Sequence, residues 1–154
     1  MDVVVFVGLQ GSGKSTFYRL AYAATHDLVS LDRLRNNRRP RRRQMHLIAE
    51  SLRTGRSVVV DNTNPTPEDR APLVAIAREF GAGAVAVWFD EPIGDCLARN
   101  RQREGRERVP DVALFAIRAR LVAPGRAEGF DRVVRATIAA TGWFATEEVE
   151  GEGS

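Results

Sequence analysis

Residues 8–16 have the types and spacing of a phosphate-binding loop. The segment Gly8–Thr16 reads G-L-Q-G-S-G-K-S-T, a full match to the Walker A pattern G-x-x-x-x-G-K-[ST]. Glycines let successive backbone N–H groups turn toward phosphate oxygens, and a helix that starts here adds unpaired N–H groups of its own. Lys14 is expected to reach the outer phosphates of ATP, and the Ser15 hydroxyl to bind Mg²⁺. The residues predicted to hold the donor are Gly11, Ser12, Gly13, Lys14, Ser15 and Thr16.

Lys14 is the only lysine in the chain, which contains 22 arginines. The excess of arginine alone carries no functional information. A compact ammonium group on a flexible stem fits inside a ring of backbone amides, whereas a planar guanidinium does not. The choice of lysine at this position supports the phosphate-binding interpretation.

A phosphate-binding loop alone does not separate a kinase from an ATPase or GTPase, so the acceptor side decides. Asp32 is predicted at the carboxyl end of the second strand, at the edge where α/β sheets bind ligands. A carboxylate there can accept the proton of an attacking alcohol. Arg35, three residues later, is placed to bind a phosphate of the acceptor. A simple helix N-cap is the alternative for Asp32, and the spacing does not choose between the two.

The segment Asp61–Pro65 follows the third predicted strand and reads D-N-T-N-P. Asp61 has a Walker B-like position, from which it can support Mg²⁺ through water, or it can cap the turn. We expect Thr63 and Asn64 to face the substrate. The structural alternative is that the asparagines bond to their own backbone, as they often do in turns.

Two arginine-rich stretches flank these motifs. Seven arginines surround Asp32, namely Arg33, Arg35, Arg38, Arg39, Arg41, Arg42 and Arg43. A solvated surface is the common reading of such a run, but beside a phosphate-transfer site it favours a polyanionic acceptor. The segment Arg99–Pro110 is interpreted as a lid, since Arg99 and Arg103 lie one helical turn apart and a closing arginine stabilises the transferring phosphoryl group. The alternative is a solvated turn.

The elements needed to position these residues follow from the apolar pattern. Buried runs at Val3–Val7 and Ala84–Phe89 alternate with helical segments, which is typical of βα units around a mainly parallel sheet. We predict an α/β fold of four or five strands flanked by helices, with a helical lid. Residues 1–145 form one domain, and the acidic tail 146–154 is expected to be disordered.

The composition bears on the cellular compartment and on membrane association. A single cysteine, Cys96, cannot form an internal disulfide, and no apolar run is long enough for a membrane span. We therefore expect a cytoplasmic protein with no membrane association. The oligomeric state does not follow from the sequence.

Taken together, these motifs resemble the kinase domain of polynucleotide 5′-hydroxyl kinases, both the phage-type enzyme and the kinase half of the animal kinase–phosphatase. The resemblance runs from about Val3 to Val134 and rests on G-x-x-G-S-G-K-S-T, D-x-x-R, D-N-T-N-P and the R-N-x-x-R with V-P of the lid. It implies Asp32 as general base, Arg35 on the acceptor phosphate, and Arg103 with Arg99 at the donor phosphates. No second motif of the phosphatase type is present.

The resulting expectation is a kinase that transfers the γ-phosphate of ATP to the 5′-hydroxyl of DNA or RNA, with Mg²⁺. Lys14, Asp32 and Arg103 would be catalytic. Two alternatives remain open: a kinase of small molecules such as nucleosides, sugars or antibiotics, and a switch module that hydrolyses nucleotide.

Overall fold

The computed structural model describes residues 1–150, except for the side chain of Arg106. In this part of the chain six strands form one sheet, in the spatial order β2-β3-β1-β4-β5-β6. The strands are β1 (Asp2–Val7), β2 (His26–Val29), β3 (Ser57–Asp61), β4 (Gly83–Phe89), β5 (Arg132–Ile138) and β6 (Phe144–Glu148). Strands β1 to β5 are parallel, and β6 is antiparallel to β5. The helices are α1 (Lys14–Ala21), α2 (Pro40–Arg53), α3 (Pro67–Glu79), α4 (Ile93–Arg101) and α5 (Asp111–Arg120). The predicted α/β fold with a mainly parallel sheet is confirmed, although the sheet has six strands where four or five were predicted.

Strand β1 lies at the centre of the sheet, between β3 and β4. Its valines and phenylalanine are almost completely buried. Val3 and Val5 pack in the cluster that includes Ile48 of α2 and Leu73 of α3. The next residues along the strand, such as Phe6, face the opposite side and pack with Phe17 of α1. Because helices cover both faces, the strand is apolar at every position after Asp2, as buried parallel strands are.

The segment between β3 and α3 is held by the cap of α3. The Thr66 hydroxyl accepts a hydrogen bond from the Asp69 backbone N–H (3.2 Å), and the Asp69 carboxylate accepts one from the Thr66 N–H (3.3 Å). Pro67 occupies the first turn, where its missing N–H costs nothing. This reciprocal cap fixes the entry of the helix and with it the loop at the carboxyl end of β3.

The expectation of a disordered tail over residues 146–154 is wrong for 146–148, which are the last three residues of β6. Glu147 and Glu148 pair with Arg135 and Arg132 of β5, at 3.1 and 2.7 Å. Phe144 packs edge-on against Phe17, with ring centroids 5.0 Å apart. The acidic residues are thus matched by the basic strand beside them, a pairing that composition alone does not reveal. Residues 151–154 lie outside the described part.

The chain leaves β1 and returns two strands away at β2, so that β3 lies between them. All three strands end at the same edge of the sheet, since they are parallel. In open α/β sheets, ligands bind in the crevice outside the carboxyl ends of the strands. The loops after β1, β2 and β3 are therefore the ones that build the site.

Within residues 1–150, no helix combines the length and the apolar composition needed to cross a bilayer.

Candidate functional site

The loop Gly8–Gly13 joins the buried end of β1 to the N-terminus of α1. Gly11 and Gly13 have positive φ angles of 80° and 97°, a region that other residues rarely adopt. A side chain at Gly11 would also place a Cβ 2.5 Å from the carbonyl oxygen of Cys96 in α4. Glycine is thus required both by the turn and by the close approach of α4. The predicted phosphate cradle, the loop Gly8–Gly13, is therefore present, with left-handed backbone angles at two glycines and close packing against α4.

The first N–H groups of α1 point out of the helix end. As at any helix N-terminus they have no intrahelical acceptor, and no other backbone acceptor in residues 1–150 takes those of Lys14, Ser15 and Thr16. Ser12 is buried, and its hydroxyl donates to the Leu9 carbonyl (2.7 Å). Its side chain therefore braces the loop from inside. The outward amides and the positive end of the helix dipole suit an anion.

Lys14 folds back over the loop. Its Nζ donates to the carbonyl oxygens of Gly8 (2.9 Å) and Leu9 (2.8 Å). Burial lowers the pKa of Lys14 from 10.5 to about 8; the nearby Asp61 opposes this and Arg103 adds to it. An ammonium group that is desolvated and held only by carbonyl oxygens is stabilised by an incoming phosphate.

Asp61, at the end of β3, faces the start of α1. Burial raises the pKa of Asp61 above its usual value, while the nearby Lys14 ammonium and Ser15 hydroxyl oppose the rise. A hydroxyl and a carboxylate are the oxygen donors that Mg²⁺ takes in nucleotide sites, where phosphates and water complete its shell. In the described residues no three His, Cys, Asp or Glu side chains gather as a metal site of their own. The pair therefore fits a Mg²⁺ shared with bound phosphates.

Asp32 opens a 3₁₀ turn, Asp32–Leu34, three residues after β2 ends. Leu31 is the cap residue of that turn and no side chain caps it, so the N-cap alternative for Asp32 is wrong. Arg35 lies beside it, with Nη1 3.6 Å from Oδ1 of Asp32, and the Asp32 side chain is 78% exposed. Two strand spacings of about 4.8 Å separate β2 from β1, which puts the Asp32 loop roughly 10 Å from the cradle along the same edge.

Three residues that the sequence did not single out hold the Asp32 loop in place. Asn62 accepts a hydrogen bond from the Leu31 N–H (2.8 Å) and donates to the side chain of the buried Gln44 (2.7 Å). Ser30 accepts one from the Asp32 N–H (3.3 Å). The acceptor-side loop is therefore tied to the loop after β3 and to α2. Asn62 lies inside the predicted D-N-T-N-P segment, but its partners were not visible in the sequence.

The prediction that Asn64 faces the substrate is wrong. Asn64 is 6% exposed with a φ of 44°, and its amide donates to the Phe6 carbonyl (2.8 Å) inside the protein. Its own carbonyl accepts from Arg70, a fully buried residue that also makes a double contact with Glu128 at 2.8 and 2.9 Å. Asn64 is thus part of the internal framework. Thr63 lies next to the cradle, where its carbonyl accepts from the Gly8 N–H (3.0 Å).

Arg99 contacts the cradle directly, whereas Arg103 acts on it through its charge. Arg99 donates to the Gly11 carbonyl (3.1 Å) and lies 3.7 Å from the nearly buried carboxylate of Glu91, so it braces the loop. Arg103 is close enough to lower the pKa values of both Lys14 and Asp61. Behind them Asn100, fully buried, donates to the Val109 carbonyl (2.6 Å) and accepts from the Val109 N–H (3.0 Å). The predicted lid is therefore anchored at its base.

Comparison with known proteins identifies relatives in sequence and in fold. The chain is 29% identical over 138 residues to the bifunctional polynucleotide phosphatase/kinase of Schizosaccharomyces pombe, which covers 86% of this chain and 32% of that protein. The chain thus spans about a third of the length of that relative. Among solved structures, a gluconokinase from Sinorhizobium meliloti 1021 has a TM-score of 0.62 at 24% identity, covering 90% of this chain and 83% of that one. The Pnkp1/Rnl/Hen1 complex has a TM-score of 0.56 at 24% identity, covering 64% of this chain and 38% of that one.

At these identities the structural likeness concerns the fold. The family assignment rests on the match of residues 3–124, most of the chain, to the AAA domain family. This match includes the cradle, the Asp32 loop, the segment after β3 and the lid. The chain therefore belongs to the AAA domain family, as a P-loop kinase domain homologous to the polynucleotide phosphatase/kinase.

Proposed function

We propose that this domain is an ATP-dependent polynucleotide 5′-hydroxyl kinase that phosphorylates the 5′ end of DNA or RNA. One observation carries the proposal. Asp32 is not engaged as a helix cap, Arg35 lies beside it, and the pair sits at the edge of the sheet, two strands from the phosphate cradle. A hydrolase has no need of such an acceptor pair. The named activity of the fission yeast relative supports the choice of acceptor.

On the acceptor side, Asp32 takes the proton of the 5′-hydroxyl as its oxygen attacks the γ-phosphorus of ATP. A new P–O bond forms to the 5′ oxygen, the bond to the β-phosphate oxygen breaks, and ADP leaves. Arg35 binds the first phosphate of the acceptor strand, which orients the hydroxyl toward the donor. The bonds from Asn62 and Ser30 keep the Asp32 loop at the required place.

On the donor side, the outward amides of α1 hold the phosphates and Lys14 leaves the loop carbonyls to bind the terminal ones. Arg103 neutralises charge on the migrating phosphoryl group, and Arg99 keeps the loop in shape through Gly11. Ser15 and Asp61 would hold Mg²⁺, which when bound supplies charge neutralisation across the β- and γ-phosphates.

A kinase of small molecules is the second candidate, favoured by the likeness in fold to a gluconokinase. The two candidates differ in their dependence on salt. A polyanionic acceptor binds through several phosphates, so its KM rises steeply with ionic strength, whereas a neutral sugar is almost insensitive. The many arginines around Asp32 support the first candidate, because a neutral acceptor gains little from that field.

The experiment is phosphoryl transfer from γ-labelled ATP to short 5′-hydroxyl DNA and RNA strands, with wild-type protein and the Asp32→Asn variant. Loss of a general base lowers the rate by roughly 10²–10⁴-fold, while ATP binding stays within about twofold. Glu50→Gln, an exposed acid on α2, is the matched control and keeps wild-type rates. Transfer at the wild-type rate by Asp32→Asn would show that the base is misassigned, and absence of any labelled strand with wild-type protein would overturn the proposed acceptor.

A further inference from the structure

An open groove of about 510 Å³ lies at the start of α2, outside the site described above. It is lined by Asn37, Arg38, Arg39, Arg42, Arg43 and His46. All six side chains are exposed, and the lining includes four arginines and no acidic residue. The volume is within the range of roughly 300–1,000 Å³ that ligand sites occupy.

The arginines of this groove have no acidic partners. Within residues 1–150, none of the four guanidinium groups makes an ion pair or a hydrogen bond to a protein group. Some other surface arginines are paired, such as Arg35 with Asp32, Arg56 with Asp27 and Arg101 with Asp111. A concentration of uncompensated positive charge repels itself and is stabilised by a polyanion.

The sequence of α2 explains why the arginines form one surface. Arg39, Arg42, Arg43 and His46 are spaced three, four and seven residues apart, which places them on one side of a helix. The inward side carries Gln44 and Ile48, both buried. Arg41, in the middle of the run, is exposed but does not line the groove. Arg42 and Arg43 of this run therefore line the groove, and Arg41 does not.

The groove is joined to the acceptor side of the site. Gln44 lies on the buried side of the helix that carries the groove arginines, and its side chain accepts a hydrogen bond from Asn62. Asn62 in turn accepts one from the backbone N–H of Leu31, the residue before Asp32. In the chain, the segment from Asp32 and Arg35 leads directly to Asn37 and Arg38 at the groove. The first groove residue, Asn37, thus follows Arg35 by two positions, which makes the groove the continuation of the Asp32 and Arg35 segment.

We propose that this groove binds the sugar-phosphate backbone of a single nucleic-acid strand, at the phosphates that follow the one held by Arg35. The inference rests on the proposed function and adds a second binding site to it. Guanidinium groups take phosphate oxygens in pairs of hydrogen bonds. Because the lining contains no aliphatic side chain and no Phe, Tyr or Trp that could form a base pocket, we expect binding to be independent of sequence. A small phosphorylated molecule would be bound through one phosphate and would leave most of these arginines without a partner.

The test compares Arg42→Ala with Arg41→Ala, adjacent arginines on the same helix that differ in whether they line the groove. A double variant, Arg42→Ala/Arg43→Ala, enlarges the effect, and Arg42→Lys/Arg43→Lys restores the charge. Two readouts are taken with 12-nucleotide 5′-hydroxyl strands of DNA and RNA labelled at the 3′ end: the Kd from fluorescence anisotropy at several salt concentrations, and kcat/KM relative to a nucleoside 3′-phosphate. Thermal unfolding verifies that each variant is folded.

We expect the double variant to weaken strand binding about tenfold and to reduce the slope of log Kd against log salt by about 1.4, since each single-strand phosphate contact contributes about 0.7. The advantage of the long acceptor over the nucleoside 3′-phosphate shrinks accordingly. Arg41→Ala changes Kd by less than about twofold, and the lysine variant recovers most of the binding because a point charge still attracts phosphate.

The outcomes separate the groove from the proposed reaction. If wild-type protein phosphorylates the strand but the groove variants match Arg41→Ala in Kd, slope and length preference, the groove inference is overturned and the kinase stands. If the strand binds through the groove arginines but is never phosphorylated, the groove stands and the acceptor is wrong. If wild-type protein does not bind the strand, or binds polyglutamate of equal charge as tightly, the groove does not serve nucleic acid.

Discussion

Replacing Lys14 with methionine tests whether the cradle holds its ammonium group at a cost in stability. Burial lowers the pKa of Lys14 from 10.5 to about 8. Each unit of pKa corresponds to about 1.36 kcal/mol, so the charged form destabilises the folded state by about 3 kcal/mol relative to the neutral form. Methionine fills similar space without the charge. Catalytic groups often carry such a cost, because the site is built for the bound ligand.

The sign of the pH dependence follows from the two pKa values. Below pH 8, Lys14 is charged in both the folded and the unfolded states, so the full cost is present. Between pH 8 and 10.5 the unfolded chain binds the proton more tightly, and the free energy of unfolding of the wild type rises with pH. Above 10.5 the cost is gone. The methionine variant lacks this contribution, so its stability relative to the wild type falls by about 3 kcal/mol across the window.

The assay is urea unfolding of both proteins from pH 7 to pH 10.5, with the difference in unfolding free energy plotted against pH. The difference cancels the titration of the tyrosines, which both proteins share. Lys14 is the only lysine, so ¹⁵N-lysine labelling gives a single side-chain signal whose titration reports the folded pKa directly. Adding inorganic triphosphate moves that pKa upward, since an anion stabilises the ammonium. A difference that stays flat with pH, together with a lysine signal that titrates near 10.5, would refute the reasoning.

Two further predictions concern the framework around the cradle. Gly11→Ala is expected to lower the free energy of unfolding more than Gly55→Ala does, and to weaken nucleotide binding. Both glycines have a φ of 80°, but only at Gly11 does the new Cβ collide with a neighbouring atom, the carbonyl oxygen of Cys96. Urea unfolding and titration calorimetry with ATP measure the two effects, and equal costs would show that the contact with α4 is unimportant. Glu128→Ala is expected to lower the free energy of unfolding by about 3–5 kcal/mol, because it leaves the fully buried Arg70 without its carboxylate partner. Glu148→Ala removes an exposed ion pair with Arg132 and is expected to cost less than about 1 kcal/mol. Similar midpoints for the two variants in urea would contradict this, and Glu128→Gln provides a milder variant if the alanine protein does not fold.

The division of labour between the two arginines of the lid became visible only in three dimensions. The spacing of Arg99 and Arg103 predicted two donors to phosphate. In the structure Arg99 is engaged with the Gly11 carbonyl and Glu91, while Arg103 is the one whose charge acts on Lys14. Glu91 was not singled out beforehand, because a lone acid after a strand has no local signature.

The sequence alone determined the cradle and the class of fold. All the residues of the Walker A segment are contiguous, and the bonds that shape it, such as those of Lys14 to Gly8 and Leu9, join residues five or six positions apart. The apolar runs of the strands are likewise local, since burial on both faces makes five consecutive residues of β1, Val3–Val7, apolar. Such features are written in short stretches of chain, and pattern reasoning finds them.

Tertiary structure decided which polar residues face the site and which hold the fold. Asn64 bonds to Phe6 and Arg70 to Glu128, each 58 positions away, and these partners turned a predicted substrate residue into a buried one. The acidic tail became β6 because β5 offers arginines at matching positions. A polar side chain is satisfied by whatever group the fold brings to it, and burial makes that choice strongly favourable. For Asp32, the loop after β2 left its carboxylate exposed beside Arg35 and not engaged as a helix cap, a result that no local pattern contained.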